Sequence, residues 1–136
     1  MTNESLQPPN PSRERAHREY AGLFRIAERH ADTADRRARS SNAHMVEPHE
    51  AVRIVAALAG GTFSPEPGEP DIDEDDLMAA LTLMPKVRLD LDELEALLLL
   101  AAHQRGFTWQ RIAFGLGLGS AQAARQRYER LVRRTG

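Results

Sequence analysis

Residues 89–134 read LDLDELEALLLLAAHQRGFTWQRIAFGLGLGSAQAARQRYERLVRR, and this stretch decides the fold. Its glycines and capping residues divide it into three predicted helices. Asp90 or Asp92 can cap the first helix, since an aspartate side chain accepts hydrogen bonds from the free N–H groups of a first helical turn. Gly106 ends that helix, because glycine readily adopts the left-handed conformation that closes a helix.

The second and third helices of the stretch are bounded by hydroxyl side chains. Thr108 caps the second helix, which runs from Trp109 to about residue 115 or 116. Ser120 caps the third helix, which covers about residues 121–134. Apolar residues recur at helical spacing in both, at Trp109, Ile112, Ala113 and Leu116 in the second helix and at Ala121, Ala124, Tyr128 and Leu131 in the third. Each helix therefore has one side suited to a shared core.

The third helix is rich in glutamine and arginine on the side away from its apolar stripe, at Gln122, Arg125, Gln126 and Glu129. Two helices joined by a tight glycine-containing turn form the arrangement that places the second of them in the major groove of DNA. Gln pairs with the edge atoms of adenine and Arg with those of guanine, and each good pair contributes roughly 1–3 kcal/mol of discrimination. The candidate DNA-binding residues are Ser120, Ala121, Gln122, Arg125, Gln126, Arg111, Arg127, Arg130 and Arg133.

A family resemblance rests on residues of the same stretch, namely Thr108-Trp109, Ile112-Ala113, Leu116-Gly117, Gly119-Ser120, Gln122-Ala123-Ala124 and Arg127-Tyr128. With them the chain resembles the helix-turn-helix segment of small bacterial DNA-binding proteins and, more loosely, the promoter-reading C-terminal domain of sigma factors. The resemblance covers about a third of the chain. It departs from the usual pattern by one extra glycine before Ser120, which we place in the turn.

The resemblance implies an all-α protein, with a C-terminal trihelical helix-turn-helix and additional N-terminal helices, that regulates transcription by binding double-stranded DNA. We also expect a homodimer, because such proteins bind symmetric operators whose half-sites lie one helical turn apart. RNA polymerase or a sigma factor is a further expected contact. The alternative is a protein–protein adaptor or antagonist of a sigma factor or RNA polymerase that uses the same scaffold.

A nucleotide-binding loop is a second alternative for the glycine-rich turn at Gly115, Gly117 and Gly119. A dinucleotide-binding loop needs a strand before it and an acidic residue about twenty positions later. Here a predicted helix precedes the glycines, and no such acidic residue follows. The sequence therefore disfavours a nucleotide site.

The composition argues against several other function classes. The 136 residues contain no cysteine, which excludes disulfides and thiolate metal sites and fits a reducing cytoplasm. The longest apolar run, residues 96–102, is far shorter than the about twenty residues of a membrane span, and the polar N-terminus does not resemble a secretion signal. We therefore expect a soluble cytoplasmic protein associated with the nucleoid. No combination of nucleophile, base and paired carboxylates indicates an enzyme, and we expect no cofactor and no metal.

Charge is segregated along the chain, although the net charge is only −2. Residues 101–136 carry seven arginines and one glutamate, whereas residues 61–100 carry eleven acidic and two basic residues. This pattern fits a basic DNA-facing surface backed by an acidic one. The alternative is that the acidic stretch folds over the basic helix and competes with phosphate.

Prolines and glycines mark further boundaries upstream. We predict a disordered tail at residues 1–11, N-terminal helices for docking or dimerisation at 12–61, a loop at 62–71, and a helical domain at 72–136 that contains the helix-turn-helix at 108–134. Ser12 caps a first helix that runs to about Arg39, and residues 40–47 form a linker. Pro48 begins a helix that ends at Gly60-Gly61.

The acidic run at residues 71–76 predicts the start of the next helix, which Pro85 ends. Its expected core side consists of Ile72, Leu77, Leu81 and Met84. A calcium loop is disfavoured there, because the sixth and twelfth positions are Asp76 and Thr82 instead of a glycine and a carboxylate. A metal site is likewise disfavoured at the four residues His44, Glu47, His49 and Glu50, which straddle a helix start.

The run of leucines and alanines at residues 96–102 is hydrophobic around the whole helix circumference. Such a helix must be covered on more than one side. The two helices that follow it can cover only one side. We therefore expect the upstream helices or a second subunit to cover the other.

Overall fold

The structure, a computed structural model, describes residues 10–39 and 46–135. All regular secondary structure in these residues is helical, which confirms the predicted all-α class. The helices are α1 (Pro11–His30), α2 (Ala34–Arg37), α3 (Pro48–Ala59), α4 (Glu74–Gln104), α5 (Trp109–Leu116) and α6 (Ala121–Thr135). No helix in the described ranges is both long and apolar enough to cross a lipid bilayer.

Helix α1 begins two residues earlier than a cap at Ser12 would place it. Asn10, not Ser12, is the capping residue, and its side chain accepts hydrogen bonds from the N–H groups of Ser12 and Arg13. Pro11 occupies the first helical position, where its missing N–H costs nothing and its fixed φ suits the helix. Pro11 was expected to belong to the disordered tail, but it starts the helix. The rest of the predicted tail, residues 1–9, lies outside the described residues.

The prediction of one helix from Ser12 to Arg39 was also wrong at its end. Helix α1 ends at His30, and α2 begins after Thr33, whose hydroxyl accepts a hydrogen bond from the Arg36 N–H. Arg39 donates to the His30 carbonyl at 2.7 Å, because the chain folds back after α1. Arginine side chains thus satisfy the carbonyls that the helix end leaves free. Most of the predicted linker, residues 40–45, lies outside the described ranges.

Helix α3 confirms the predicted start at Pro48 and the predicted end before Gly60. Proline is favoured at the first helical position for the same reason as in α1. Residues 62–73, which include the predicted loop at 62–71, contain no regular secondary structure.

Helix α4 is continuous through Pro85, so the predicted helix end at that residue was wrong. A proline inside a helix removes one backbone hydrogen bond and crowds the preceding turn. Leu83 and Val87, on either side of it, are both buried. The burial of these two side chains favours a helix on both sides of the proline. It offsets the hydrogen bond that Pro85 removes. Asp90 and Asp92, predicted as caps, consequently lie inside α4.

The chain divides into two compact units, one ending at Lys86 and the other beginning at Val87. In the first unit Ile26 of α1, Ala51 and Val55 of α3, and Ala79 and Leu83 of α4 form the core. These α4 residues belong to the first unit, so the unit boundary differs from the domain boundary predicted at residue 72.

The core side predicted for α4 was wrong at Leu77 and Leu81, although Ile72 does pack against the core. Leu77 and Leu81 are exposed, whereas Asp76, Ala79 and Leu83 are buried. The buried side includes an aspartate, which a pattern of apolar residues does not identify. Asp76 is nevertheless tolerated there, since a buried carboxylate is stable when it is paired and hydrogen-bonded.

A network of charged residues surrounds Asp76 in the first unit. Its carboxylate lies 3.0 Å from Arg25 Nε and 2.8 Å from Arg29 Nε. His30 is fully buried, with Nδ1 at 2.5 Å from Glu69 Oε2 and Nε2 at 3.5 Å from Asp76 Oδ2. Arg39 also donates to Glu69. The network joins α1 to the loop before α4 and to the start of α4.

The core of the second unit is built from Leu99 of α4, Ile112 and Ala113 of α5, and Ala124 and Leu131 of α6. Within the leucine run only Leu99 is buried. Leu97, Leu98 and Leu100 remain 64, 63 and 38% exposed. Much of the apolar surface of this part of α4 is therefore exposed.

Candidate nucleic-acid interface

Helix α5 has the bounds and the cap that its sequence predicted. Thr108 Oγ1 accepts a hydrogen bond from the Arg111 N–H at 3.1 Å, and the helix runs from Trp109 to Leu116. The helix before it ends at Gln104, two residues before Gly106, which has a φ of +88°. The predicted stop at this glycine is confirmed.

The turn after α5 depends on Gly117, which has a φ of +72°. The Gly117 N–H donates to the Phe114 carbonyl, and the Leu118 N–H donates to the Ala113 carbonyl at 2.8 Å. This pair of bonds closes a helix around a left-handed glycine. Gly119, the extra residue of the motif, lies outside both helices, as predicted.

Helix α6 begins after Ser120, whose Oγ accepts a hydrogen bond from the Ala123 N–H at 3.1 Å. Ala124 and Leu131 on its inward side are buried. Tyr128 is half-buried, and its ring packs against Trp109 with 5.6 Å between centroids. The predicted start of α6 and these inward positions are confirmed.

The outward side of α6 carries the residues predicted to contact bases. Gln122, Arg125, Gln126 and Glu129 are all exposed. Together with Ala121 and Trp109 they line an open cleft of about 490 Å³ beside α5. Arg125 lies 3.4 Å from Glu129, one helical turn away. The structure thus brings most of the candidate base-contacting residues onto one surface.

The candidate phosphate-contacting arginines occupy different surroundings. Arg130 and Arg133 are exposed on α6. The Arg111 guanidinium on α5 lies 4.0 Å from the centre of the Phe107 ring, a distance that fits a cation–π contact. Arg127 differs from the others, because its guanidinium pairs with Glu95 at 3.0 Å.

Arg127 and Arg125 are two residues apart on α6 and therefore point to nearly opposite sides of the helix. The Arg127 side faces α4, where Arg134 also lies 3.5 Å from Asp92. These two ion pairs join α6 to α4 in the second unit. The sequence shows the opposite charges of α4 and α6 but not which residues pair, because the partners are 32 and 42 positions apart.

The acidic stretch at residues 61–76 has its own partners in the first unit. Glu69 pairs with Arg39, Asp73 with Arg25, and Asp76 with both Arg25 and Arg29. These carboxylates are therefore occupied by arginines of α1 and of the residues that follow it. Of the acidic residues in 61–100, these three thus pair within the first unit, whereas Asp92 and Glu95 of the second unit pair with Arg134 and Arg127 of α6.

Among the described residues, no three His, Cys, Asp or Glu side chains are grouped so that they could hold a metal ion. His44, one of the residues considered for a metal site, lies outside those residues. Comparison of the chain with known protein families, with curated proteins and with solved structures gave no match.

Proposed function

We propose that the chain binds double-stranded DNA and regulates transcription, with α4, α5 and α6 acting as a trihelical helix-turn-helix. The observation that carries the proposal is the two-sided character of α6. Its inward side is buried at Ala124 and Leu131, while its outward side exposes two glutamines and several arginines. A recognition helix needs this combination, because one side must be fixed to the protein while the other side meets base edges.

In this proposal the residues on α6 have two different roles. Gln122, Arg125 and Gln126 lie at the cleft beside α5 and contact bases, since amide and guanidinium groups match the major-groove edges of adenine and guanine. Arg130 and Arg133 contact phosphates and fix the register of the helix on the duplex. Arg111 on α5 provides a further phosphate contact. Ser120 and Ala121 bring the start of α6 close to the DNA backbone, because a helix N-terminus attracts phosphate.

The positive charge of α6 supports the same surface. Helix α6 carries five arginines and one glutamate, in a chain whose total charge is −2. DNA binding by such a surface releases counterions, so affinity falls steeply as salt rises.

The experiment that tests this proposal measures binding of the full chain to a labelled random-sequence duplex over a range of salt concentrations. We expect binding at low salt, and a linear fall in the logarithm of the binding constant against the logarithm of salt concentration. Arg130→Ala should remove one phosphate contact and so reduce the magnitude of this slope by about one. Glu28→Gln, a substitution on an exposed position of α1, is the control and should leave the slope unchanged. Absence of binding at the lowest salt contradicts the proposal.

A protein–protein adaptor or antagonist of a sigma factor or RNA polymerase is the second candidate function. The observation that favours it is Phe114 on α5, whose side chain is 87% exposed. Exposed aromatic side chains are typical anchors of protein interfaces. Binding to a sigma factor or polymerase that Phe114→Ala abolishes, with no binding to duplex, would support this function over DNA recognition.

A further inference from the structure

Helix α6 carries a single acidic residue, Glu129, and this residue lies on the side of the helix proposed to meet DNA. Its side chain is 52% exposed, and it lines the cleft beside α5 together with Gln122, Arg125 and Gln126. A carboxylate at this position repels the phosphates of any duplex that approaches the surface. The roles assigned above to the other residues of the cleft do not explain it.

Glu129 faces the guanidinium group of Arg125. Its Oε1 lies 3.4 Å from Arg125 Nε, and the two residues are one helical turn apart. Within the described ranges, the two terminal nitrogens of Arg125, Nη1 and Nη2, have no hydrogen-bond or ion-pair partner. Paired N–H groups of an arginine match the O6 and N7 acceptors of guanine. The contact with Glu129 thus leaves the guanidinium end that suits a guanine edge available.

Helix stability does not account for this ion pair. Both side chains are more than half exposed, and exposed ion pairs contribute little to the free energy of unfolding, because water screens them. The order of the two residues is also the less favourable one. A helix gains more from a glutamate four residues before a basic residue than from one four residues after it. A role outside folding is therefore the better account of Glu129.

The five arginines of α6 differ in their partners. Arg127 and Arg134, on the side of α4, pair with acidic residues of that helix. In the part of the chain that the structure describes, Arg130 and Arg133 have no ion pair, and Arg125 is the one that pairs within α6. A long side chain without a partner can turn toward any nearby phosphate, whereas a paired one has fewer orientations. Pairing thus distinguishes the arginine at the cleft from those assigned to phosphate.

We propose that Glu129 is a positioning residue for base recognition, which holds the terminal nitrogens of Arg125 toward a guanine and lowers the affinity of the surface for other sequences. Repulsion between Glu129 and phosphate acts on every duplex, whereas the contact of Arg125 with guanine forms only on the preferred one. Fixing the side chain before binding also reduces the rotamer entropy lost at that contact. This inference rests on the proposed DNA binding and names guanine as a base of the site.

The affinities of the full chain for a duplex selected from a random pool and for a random-sequence duplex test this role. Glu129→Gln should strengthen binding to the random duplex roughly two- to fivefold, because it removes a repulsive charge. It should lower the ratio of the selected to the random affinity by about fivefold or more, because the guanine contact is less well ordered. Glu93→Gln is the matched control, since it removes the same charge from an exposed position of α4 outside the cleft. It should leave the ratio unchanged.

A change in the DNA tests the contact with guanine directly. Replacing guanines of the selected duplex one at a time by 7-deazaguanine removes the N7 acceptor and keeps the base pair. At one position the wild-type chain should lose affinity by about threefold or more. Glu129→Gln should lose less there, and Arg125→Ala should lose none. A wild-type chain that is insensitive at every guanine overturns the proposal without any variant.

The double variant shows whether Glu129 acts through Arg125. In an Arg125→Ala background, Glu129→Gln should not lower the affinity ratio further, because no guanidinium is left to position. A further fall in that background, or equal effects of Glu129→Gln and Glu93→Gln on the ratio, overturns the proposal and leaves DNA recognition by α6 standing. A pool without enrichment contradicts DNA recognition and this proposal together.

Discussion

Gly115 and Gly117 are two positions apart and should respond in opposite ways to the same substitution. Gly117 has a φ of +72°, a conformation that costs an L-residue about 1–2 kcal/mol. Gly115 lies inside α5 with open space around it. We expect Gly117→Ala to lower the free energy of unfolding by about 1–2 kcal/mol, and Gly115→Ala to raise it by about 0.5–1 kcal/mol. Urea unfolding followed by Trp109 fluorescence measures both, and a gain of stability in Gly117→Ala would contradict the geometry of the turn.

The caps on either side of α5 and at the start of α6 were predictable, whereas those predicted at Ser12 and at Asp90 or Asp92 were wrong. Thr108, Gly106 and Ser120 act where the sequence placed them, because capping depends on a few adjacent residues. Asp76 was not predictable in the same way. Its burial depends on arginines of α1, about fifty positions away, and local sequence does not reveal such partners.

At the scale of helices and loops, Glu69 connects the loop before α4 to α1. Burial alone would raise the pKa of Glu69, but hydrogen bonds from Arg39, the Glu66 N–H and His30 lower it from 4.5 to about 2. A carboxyl whose pKa is lower in the folded than in the unfolded chain stabilises the fold at pH values above its unfolded pKa. This contribution is lost as the pH falls.

The prediction from Glu69 concerns acid stability. Between pH 4.5 and pH 2, ionised Glu69 should lose a contribution on the order of 3 kcal/mol to the free energy of unfolding. Glu69→Gln should be less stable than the wild type at pH 7, and its stability should depend less on pH in this range. Chemical unfolding followed by far-ultraviolet circular dichroism measures the effect, since Trp109 reports on the other unit. Glu28→Gln, at an exposed position of α1, should keep the wild-type dependence, and an unaltered profile in Glu69→Gln would contradict the network.

The bounds of α3, α5 and α6 were predictable, because single residues mark them. Helices α3, α5 and α6 have a cap or a proline at the start, and α3 and α5 also end at a glycine. Helix α4 was divided in two because Pro85 usually ends a helix, yet burial of Leu83 and Val87 on both sides favours continuity. Tertiary packing thus outweighed the local preference.

At the scale of the whole molecule, the opposite charges of residues 61–100 and 101–136 have local explanations. In the first unit Glu69, Asp73 and Asp76 pair with arginines of α1 and of the segment after it. In the second unit Glu95 and Asp92 of α4 pair with arginines on one side of α6. The outward side of α6 keeps its positive charge, and this side is the one proposed to meet DNA.

The central claim is that the outward side of α6 recognises base sequence. The most direct measurement selects preferred sites from a random duplex pool with the full chain, then compares affinities for the selected and the random duplex. We predict that Gln122→Ala and Gln126→Ala reduce the preference for the selected duplex, each by roughly 1–3 kcal/mol, and that Arg133→Ala weakens binding to both duplexes equally. A pool that shows no enrichment, or equal effects of all three substitutions on both duplexes, would contradict the account.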